Sequence, residues 1–252
     1  MIIVLLISKS KTQKSANRLL NELNDSKDKF FSILAHDLKN PFQGLLGYTD
    51  LLKNDYESLD EDEVRQSISS LHSVTRNVYQ LLEGLLEWSR AQTGRIEYNP
   101  TFFAISEEIF EVLSLAKENA KAKNIKLNSV IENSIKVYAD RNMVNTIIRN
   151  LVANAIKFSN SGDCIELSAK LEKSFLIITV QDQGIGMGPE EVNSLFRIDV
   201  HHTTLGTSGE EGTGVGLILC KELVESNKGK IWAESEVGIG SKFIFSLPVS
   251  KK

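Results

Sequence analysis

Proline is scarce in this chain, with four among 252 residues. So few breaks favour long helices. Cysteine is scarcer: Cys164 and Cys220 lack metal-ligand spacing and read as small buried side chains in a reducing cytosol. There is no strong excess of either charge. The net charge of −4 gives no global attraction to nucleic acid, so no nucleic-acid partner is expected. No internal repeat or low-complexity tract is present. The longest purely apolar start, Met1 to Ile7, is followed by Lys9, Lys11 and Lys14. Seven residues cannot cross a bilayer, which needs about 20. The run is also short for a signal peptide, with its charges on the wrong side. The apolar-then-lysine order suits the cytoplasmic end of a membrane helix whose earlier part is missing. It equally suits a frayed terminus or a short coiled-coil start. What is present is ordinary for a soluble globular protein: 41% hydrophobic and 25% charged residues, in a length that suggests two domains.

From roughly Ser15 to Tyr56 the pattern predicts one long helix. Phe31, Leu38, Leu45 and Leu52 recur every seventh residue, with Leu34, Pro41 and Tyr48 three positions later. That is a heptad seam. A second helix is expected from about Asp60 to Gln92. Its seam is Val64, Leu71, Val78 and Leu85, joined by Val74, Leu81 and Trp88. The polar segment Asn54 to Asp62 is the turn, and Asp60 or Asp62 would cap the second helix. One hairpin cannot hide so wide a seam, whereas two copies in a four-helix bundle can. A homodimer follows from the pattern. Counted from Phe31, His36 takes the sixth heptad position, facing away from the seam and into solvent. An outward histidine can be reached by another domain. Pro41 lies inside the same helix and is expected to bend it. His72 reads as a surface side chain.

Gly94 is the expected C-terminal cap and Pro100 follows, so the domain boundary is placed near residues 94–101. Beyond it the composition becomes mixed. Helix is expected from Phe103 to Asn124, and short strands at Lys126 to Ile131 and Ile135 to Ala139. A helix capped by Asp140 should run through Phe158, followed by strands at Cys164 to Leu171 and Phe175 to Gln181. Helix at Leu217 to Asn227 and strands at Lys230 to Ser235 and Lys242 to Leu247 complete an α/β sandwich.

Three constellations in this half carry chemistry. Asn150 and Asn154 are one helical turn apart, and Lys157 lies three residues on. Two amides and an ammonium on one face suit a magnesium-bound triphosphate, since an amide oxygen is a hard ligand and lysine a point charge for phosphate. On spacing alone they are equally the solvated face of an amphipathic helix. Asp182 ends an apolar strand and precedes Gly184 and Gly186. A carboxylate there can accept an adenine amine, and the glycines allow close backbone approach, although many turns share this pattern. The third, Gly212-Thr213-Gly214-Val215-Gly216-Leu217, opens a helix, whose start favours phosphate. Between them, Asp199 to Gly212 reads as a mobile lid, with His201 and His202 as lid surface residues. Gly238-Ile239-Gly240-Ser241 is a further glycine turn or a plain β-turn.

In this order the motifs resemble those of sensor histidine kinases of two-component signalling. The resemblance runs from about residue 26 to 248. It implies a helical linker over 1–25, a dimerisation and histidine-phosphotransfer hairpin over 26–96, and a catalytic ATP-binding domain over 97–252. The last is a fold shared with the Hsp90, gyrase and MutL ATPases. His36 is then the phosphorylated residue. Asn150, Asn154 and Lys157 match the N box, with Asn154 holding Mg²⁺. Asp182, Gly184 and Gly186 match the adenine-reading G1 box, and Phe196 the F box that anchors the lid. Residues Gly212, Thr213, Gly214, Val215, Gly216 and Leu217 match the G2 box, with Val215 where leucine is commoner. Phe158 stands where tyrosine is frequent, so apolar stacking on the nucleotide should persist.

The resemblance and elementary chemistry together imply a mechanism. The γ-phosphoryl group of Mg·ATP must meet neutral His36 in line. Asp37 orients the imidazole and accepts its proton, and Lys39 helps with phosphate charge. The phosphoryl group then passes to an aspartate on a separate response regulator receiver domain. Asn40, four residues after the histidine, would position water to dephosphorylate that regulator. The expected setting is a cytoplasmic domain, with a bacterial inner-membrane anchor upstream left open. Two rivals remain: an ATPase of the same nucleotide fold with no use for His36, and a dimeric scaffold with a degenerate nucleotide site.

Overall fold

The computed structural model describes residues 29, 32, 35, 38–92, 97–131, 135–200, 204–210, 212 and 214–250. The expectations for Met1 to Ile7, His36, Asp37, His201, His202 and Thr213 lie outside them. The chain divides into two compact units, one drawn from Met1–Val78 and Arg197–His201, the other from Tyr79–Phe196 and His202–Lys252.

Helix α1 is described over residues 38–54 and continues through Pro41. A 3-10 turn, Tyr56–Ser58, leads to α2, Glu61–Gln92. The start of α2 is a reciprocal capping box. The Glu63 amide donates to Asp60 Oδ1 at 2.8 Å, and the Asp60 amide donates to Glu63 Oε2 at 3.0 Å. Of the two candidates, Asp60 is therefore the cap. The seam positions are the sheltered ones: Val78, Leu81 and Trp88 are buried, and Leu38, Leu45, Leu52, Val64 and Leu71 are half-buried. His72 is exposed.

The second unit is built on a five-stranded sheet in the order β2-β4-β5-β7-β6. Its strands are β2 (Lys126–Ile131), β4 (Cys164–Glu172), β5 (Phe175–Gln181), β6 (Ile231–Glu236) and β7 (Gly240–Pro248). Only β2 and β4 pair in parallel; the other neighbours are antiparallel. Alternation sets the core. On β5, Leu176, Ile178 and Val180 point inward, and on β7 Phe243, Phe245 and Leu247 do so. Helices α3 (Ile105–Ala122), α4 (Arg141–Phe158) and α6 (Gly216–Ser226) cover that face. On α4, Met143, Val144, Ile147, Ile148, Leu151, Val152, Ala155 and Ile156 form the buried stripe at helical spacing. The result is the expected α/β sandwich.

Two elements differ from expectation. Phe103 lies not in a helix but in β1 (Pro100–Ala104), which pairs antiparallel with β3 (Lys136–Asp140), Phe103 opposite Val137. Aromatic and β-branched residues after a proline suit an extended ribbon, and α3 starts only after Ala104, whose backbone is extended. A short helix α5 (Pro189–Ser194) was also not anticipated. Proline at its start and Glu191, whose carboxylate accepts from the Gly188 amide at 2.9 Å, close its first turn.

Asp140 anchors the start of α4. Its Oδ1 accepts from the Met143 amide at 3.1 Å and its Oδ2 from the Asn99 amide at 2.9 Å. Its own amide donates to Asn227 Oδ1 at 2.8 Å, just past the end of α6. One buried carboxylate therefore ties the segment before β1 to α4, and its amide ties α4 to α6. Both helices bear on the site.

Candidate nucleotide-binding site

Between α4, the turn after β5 and the start of α6 lies an open cleft. The apolar stripe of α4 turns Asn150, Asn154, Lys157 and Phe158 to its edge, where all four line the cleft. The two asparagines are engaged differently. Asn150 donates from Nδ2 to the Thr146 carbonyl at 3.0 Å, and its Oδ1 lies 3.1 Å from where a side chain on Gly216 would begin. It packs against the start of α6. Among the described residues, none hydrogen-bonds the Asn154 carboxamide, which is half-buried at the cleft wall. Its oxygen is a hard donor of the type Mg²⁺ takes.

Lys157 Nζ donates to the Thr204 carbonyl at 3.0 Å and sits 4.7 Å from the Phe158 ring centre. A side chain on Gly212 would begin 2.6 Å from that ammonium. Gly212, Gly214, Gly216 and Leu217 line the cleft beside it. The residue before α6, Val215, supplies no side-chain cap. Among the described residues no side chain caps the first amides of α6, a helix start of the kind whose dipole favours an anion.

Asp182 lies at the cleft floor, 4% exposed. Its Oδ1 accepts from the Gly184 amide at 2.9 Å and the Ser241 amide at 3.1 Å. Burial pushes its carboxyl above the usual range, against the two amides, which pull it down. Both amides fall on one oxygen, and among the described residues none hydrogen-bonds the other, which can accept from a ligand amine. The glycines beside it make room. Gly186 has φ +65°, and a side chain there would run into the Glu236 carbonyl.

Not every expected residue lines the cleft. Gly184 packs behind it, where a side chain would strike the Phe158 carbonyl. Val215 is buried at the start of α6. Phe196 is half-buried in the turn after α5, and its neighbour Leu195 takes the lining position. Lys39 and Asn40 are exposed on α1. The cleft also recruits Ile185, Met187, Glu191, Thr204 and Phe243, which sequence reasoning did not single out, and Ser241. For Ser241 there was a signal, the preceding glycine turn. Gly240 has φ +127°, and a side chain there would collide with the Asp182 carbonyl.

Residues 139–251 match the family of histidine kinase-, DNA gyrase B- and HSP90-like ATPases, and residues 26–94 match the His Kinase A (phospho-acceptor) domain. The chain belongs to the histidine kinases. Among curated members of that family, it is 30% identical over 227 residues to an uncharacterized sensor-like histidine kinase of Rhizobium meliloti (strain 1021), covering 89% of this chain and 43% of that protein. It is 27% identical over 260 residues to the autoinducer 2 sensor kinase/phosphatase LuxQ of Vibrio parahaemolyticus, covering 99% of this chain and 30% of that one. The chain thus spans less than half of these relatives. Among solved structures, histidine kinase ThkA in complex with response regulator protein TrrA superposes with a TM-score of 0.69 at 25% identity, over 87% of this chain and 61% of that one. Acinetobacter baumannii histidine kinase AdeS shares the fold, with a TM-score of 0.68 at 19% identity, over 86% of this chain and 98% of that one. No helix among the described residues is long and apolar enough to cross a membrane.

Proposed function

We propose that this chain is the core of a sensor histidine kinase that phosphorylates His36 from ATP and passes the phosphoryl group to an aspartate of a response regulator. The observation that carries this is the convergence of Asn154, Lys157, Asp182 and the glycines of residues 212–217 on one cleft, in a chain whose residues 26–94 match a phospho-acceptor domain. Asp182 takes the base amine, the open end of α6 and Lys157 take the phosphates, and Phe158 offers an apolar face. Asn154 would hold Mg²⁺, which neutralises phosphate charge as the γ-phosphoryl group transfers. His36 attacks as neutral imidazole, and Asp37 orients it and takes its proton. Lys39 draws the incoming phosphate charge. Residues 26–96 then act as the phosphotransfer hairpin and 97–252 as the catalytic domain.

The hairpin acts as a homodimer. Beyond the sheltered seam, Ile68, Leu82 and Leu86 stand exposed at helical spacing on α2, with Phe42 and Leu46 on α1. An uncovered row of this size suits a second copy in a four-helix bundle. Asn40, exposed on α1 four residues after His36, supports a second activity, hydrolysis of the regulator's phospho-aspartate. LuxQ, a kinase/phosphatase, is similar over nearly the whole chain.

The test is incubation with Mg·[γ-³²P]ATP of the wild type, His36→Gln and Asn154→Ala, followed by acid and alkali treatment. The expected label is acid-labile, alkali-stable and lost in both variants. ATP hydrolysis without label, unaffected by His36→Gln, would assign the chain to the non-signalling ATPases.

A further inference from the structure

Helix α3 ends in a left-handed turn. Asn124 has φ 56°, its amide donates to the Lys121 carbonyl at 2.9 Å, and the Ile125 amide donates to the Ala120 carbonyl at 2.8 Å. This Schellman arrangement fixes the residue at the helix end, Lys123. The Lys123 ammonium reaches four acceptors. It lies 2.9 Å from the Ile156 carbonyl and 3.0 Å from the Lys157 carbonyl, in the last turn of α4. It also lies 2.7 Å from Thr207 Oγ1 and 2.8 Å from Glu210 Oε1, in the segment that leads to the glycine loop. Three N–H donors serve four acceptors, so one is shared.

The same segment is fastened around this ammonium. The Thr207 amide donates to the Lys157 carbonyl at 3.0 Å, and Thr207 Oγ1 donates to the Ser159 carbonyl at 2.5 Å. The Gly206 amide donates to the Glu210 carbonyl at 2.8 Å, and the Ser208 amide to Glu210 Oε2 at 2.8 Å. A side chain on Gly206 would strike Glu210 Oε2 and Lys157. Burial alone pushes the Glu210 carboxyl up, but hydrogen bonds from Lys123 and from backbone amides outweigh it and leave it below the usual range. Lys123 is the cation of this knot, its side chain 14% exposed.

We propose that Lys123 is a positioning residue for nucleotide binding: it latches residues 204–210 to the end of α4 and so holds Thr204 against Lys157 Nζ at the cleft wall. This deepens the nucleotide-binding reading above and rests on it. The physical effect is preorganisation. With the latch closed, the segment flanking the phosphate site is ordered before ligand arrives. Without it, binding must bear the cost of ordering that segment.

The test is titration of the full chain with a fluorescent ATP analogue, reading Kd and binding stoichiometry separately. Lys123→Met, close in length and uncharged, should raise Kd about tenfold with stoichiometry unchanged, as expected for loss of charge-assisted hydrogen bonds. Thr207→Val should raise it less, and the double variant should be no weaker than Lys123→Met alone. Lys121→Met removes the same charge from an exposed position on α3 and should bind like wild type. The proposal is overturned if Lys123→Met keeps the wild-type Kd, if it loses only stoichiometry (the signature of misfolding), or if Lys121→Met weakens binding equally. A wild-type chain that binds no analogue overturns the nucleotide reading itself.

Discussion

Asp182 and Ser241 are joined by a reciprocal pair of hydrogen bonds. The Ser241 amide donates to Asp182 Oδ1 at 3.1 Å, and the Asp182 amide donates to the Ser241 carbonyl at 2.9 Å. The end of β5 is thereby locked to the start of β7, and the carboxylate cannot rotate without breaking two backbone-supported contacts. Preorganisation of this kind lets a buried acid hold a fixed direction into a cleft.

Asp182→Asn keeps an acceptor for the two amides but removes the charge offered to a ligand amine. ATP affinity should fall about 10–100-fold, measured by analogue titration, with the fold retained by circular dichroism. Unchanged affinity would remove Asp182 from the base-recognition site.

Burial raises the Asp182 pKa, and the sign of the pH effect follows. A carboxyl whose folded pKa lies above its unfolded value contributes stability below the unfolded pKa and loses it as pH rises through the folded one. At neutral pH its charge is therefore a cost to the fold. As pH falls through the raised pKa, nucleotide affinity should weaken in the wild type. In Asp182→Asn that titration step should be missing. Parallel pH profiles of Kd for the two proteins test this.

Gly186→Ala combines a positive φ with a collision against the Glu236 carbonyl. It should destabilise the chain by about 1–3 kcal/mol, read as a lower urea midpoint at unchanged slope. A wild-type midpoint would mean that the turn after β5 relaxes freely.

Asp140→Ala strands the Met143 amide at the start of α4 and the Asn99 amide before β1. Loss of a cap together with an unsatisfied buried donor should cost about 2–4 kcal/mol. Thermal or urea unfolding measures it, and a cost near zero would show that water or a shifted loop replaces the carboxylate.

Asn40→Ala should slow dephosphorylation of the regulator by on the order of 100-fold, the scale of losing a positioned reactant, and far more than it slows labelling of His36. Timed release of phosphate from a labelled receiver domain decides it. Equal slowing of both reactions would make Asn40 a residue of the phosphotransfer face in general.

Much of this protein was legible locally. The apolar run from Leu176 to Val180 marked β5, the apolar stripe from Met143 to Ala155 marked α4, and Asp140 marked its start, because apolar patterning and capping act over a few residues. Asn154, Lys157 and Asp182 stood out through the resemblance of their motifs to those of histidine kinases, since spacing alone also fits a solvated helix face or a plain turn, and the cleft gathers them. The strand at Phe103 was not legible, since so short an aromatic and β-branched run favours a ribbon only weakly and the pairing with Val137 fixes it. The lining by Met187, Leu195 and Phe243, the locking of Asp182 by Ser241 and the grip of Lys123 on Glu210 were not legible either. The partners lie 59 and 87 residues apart in the last two cases. No local propensity encodes such a meeting; it exists only where the packing of α3, α4 and the sheet brings distant backbone together.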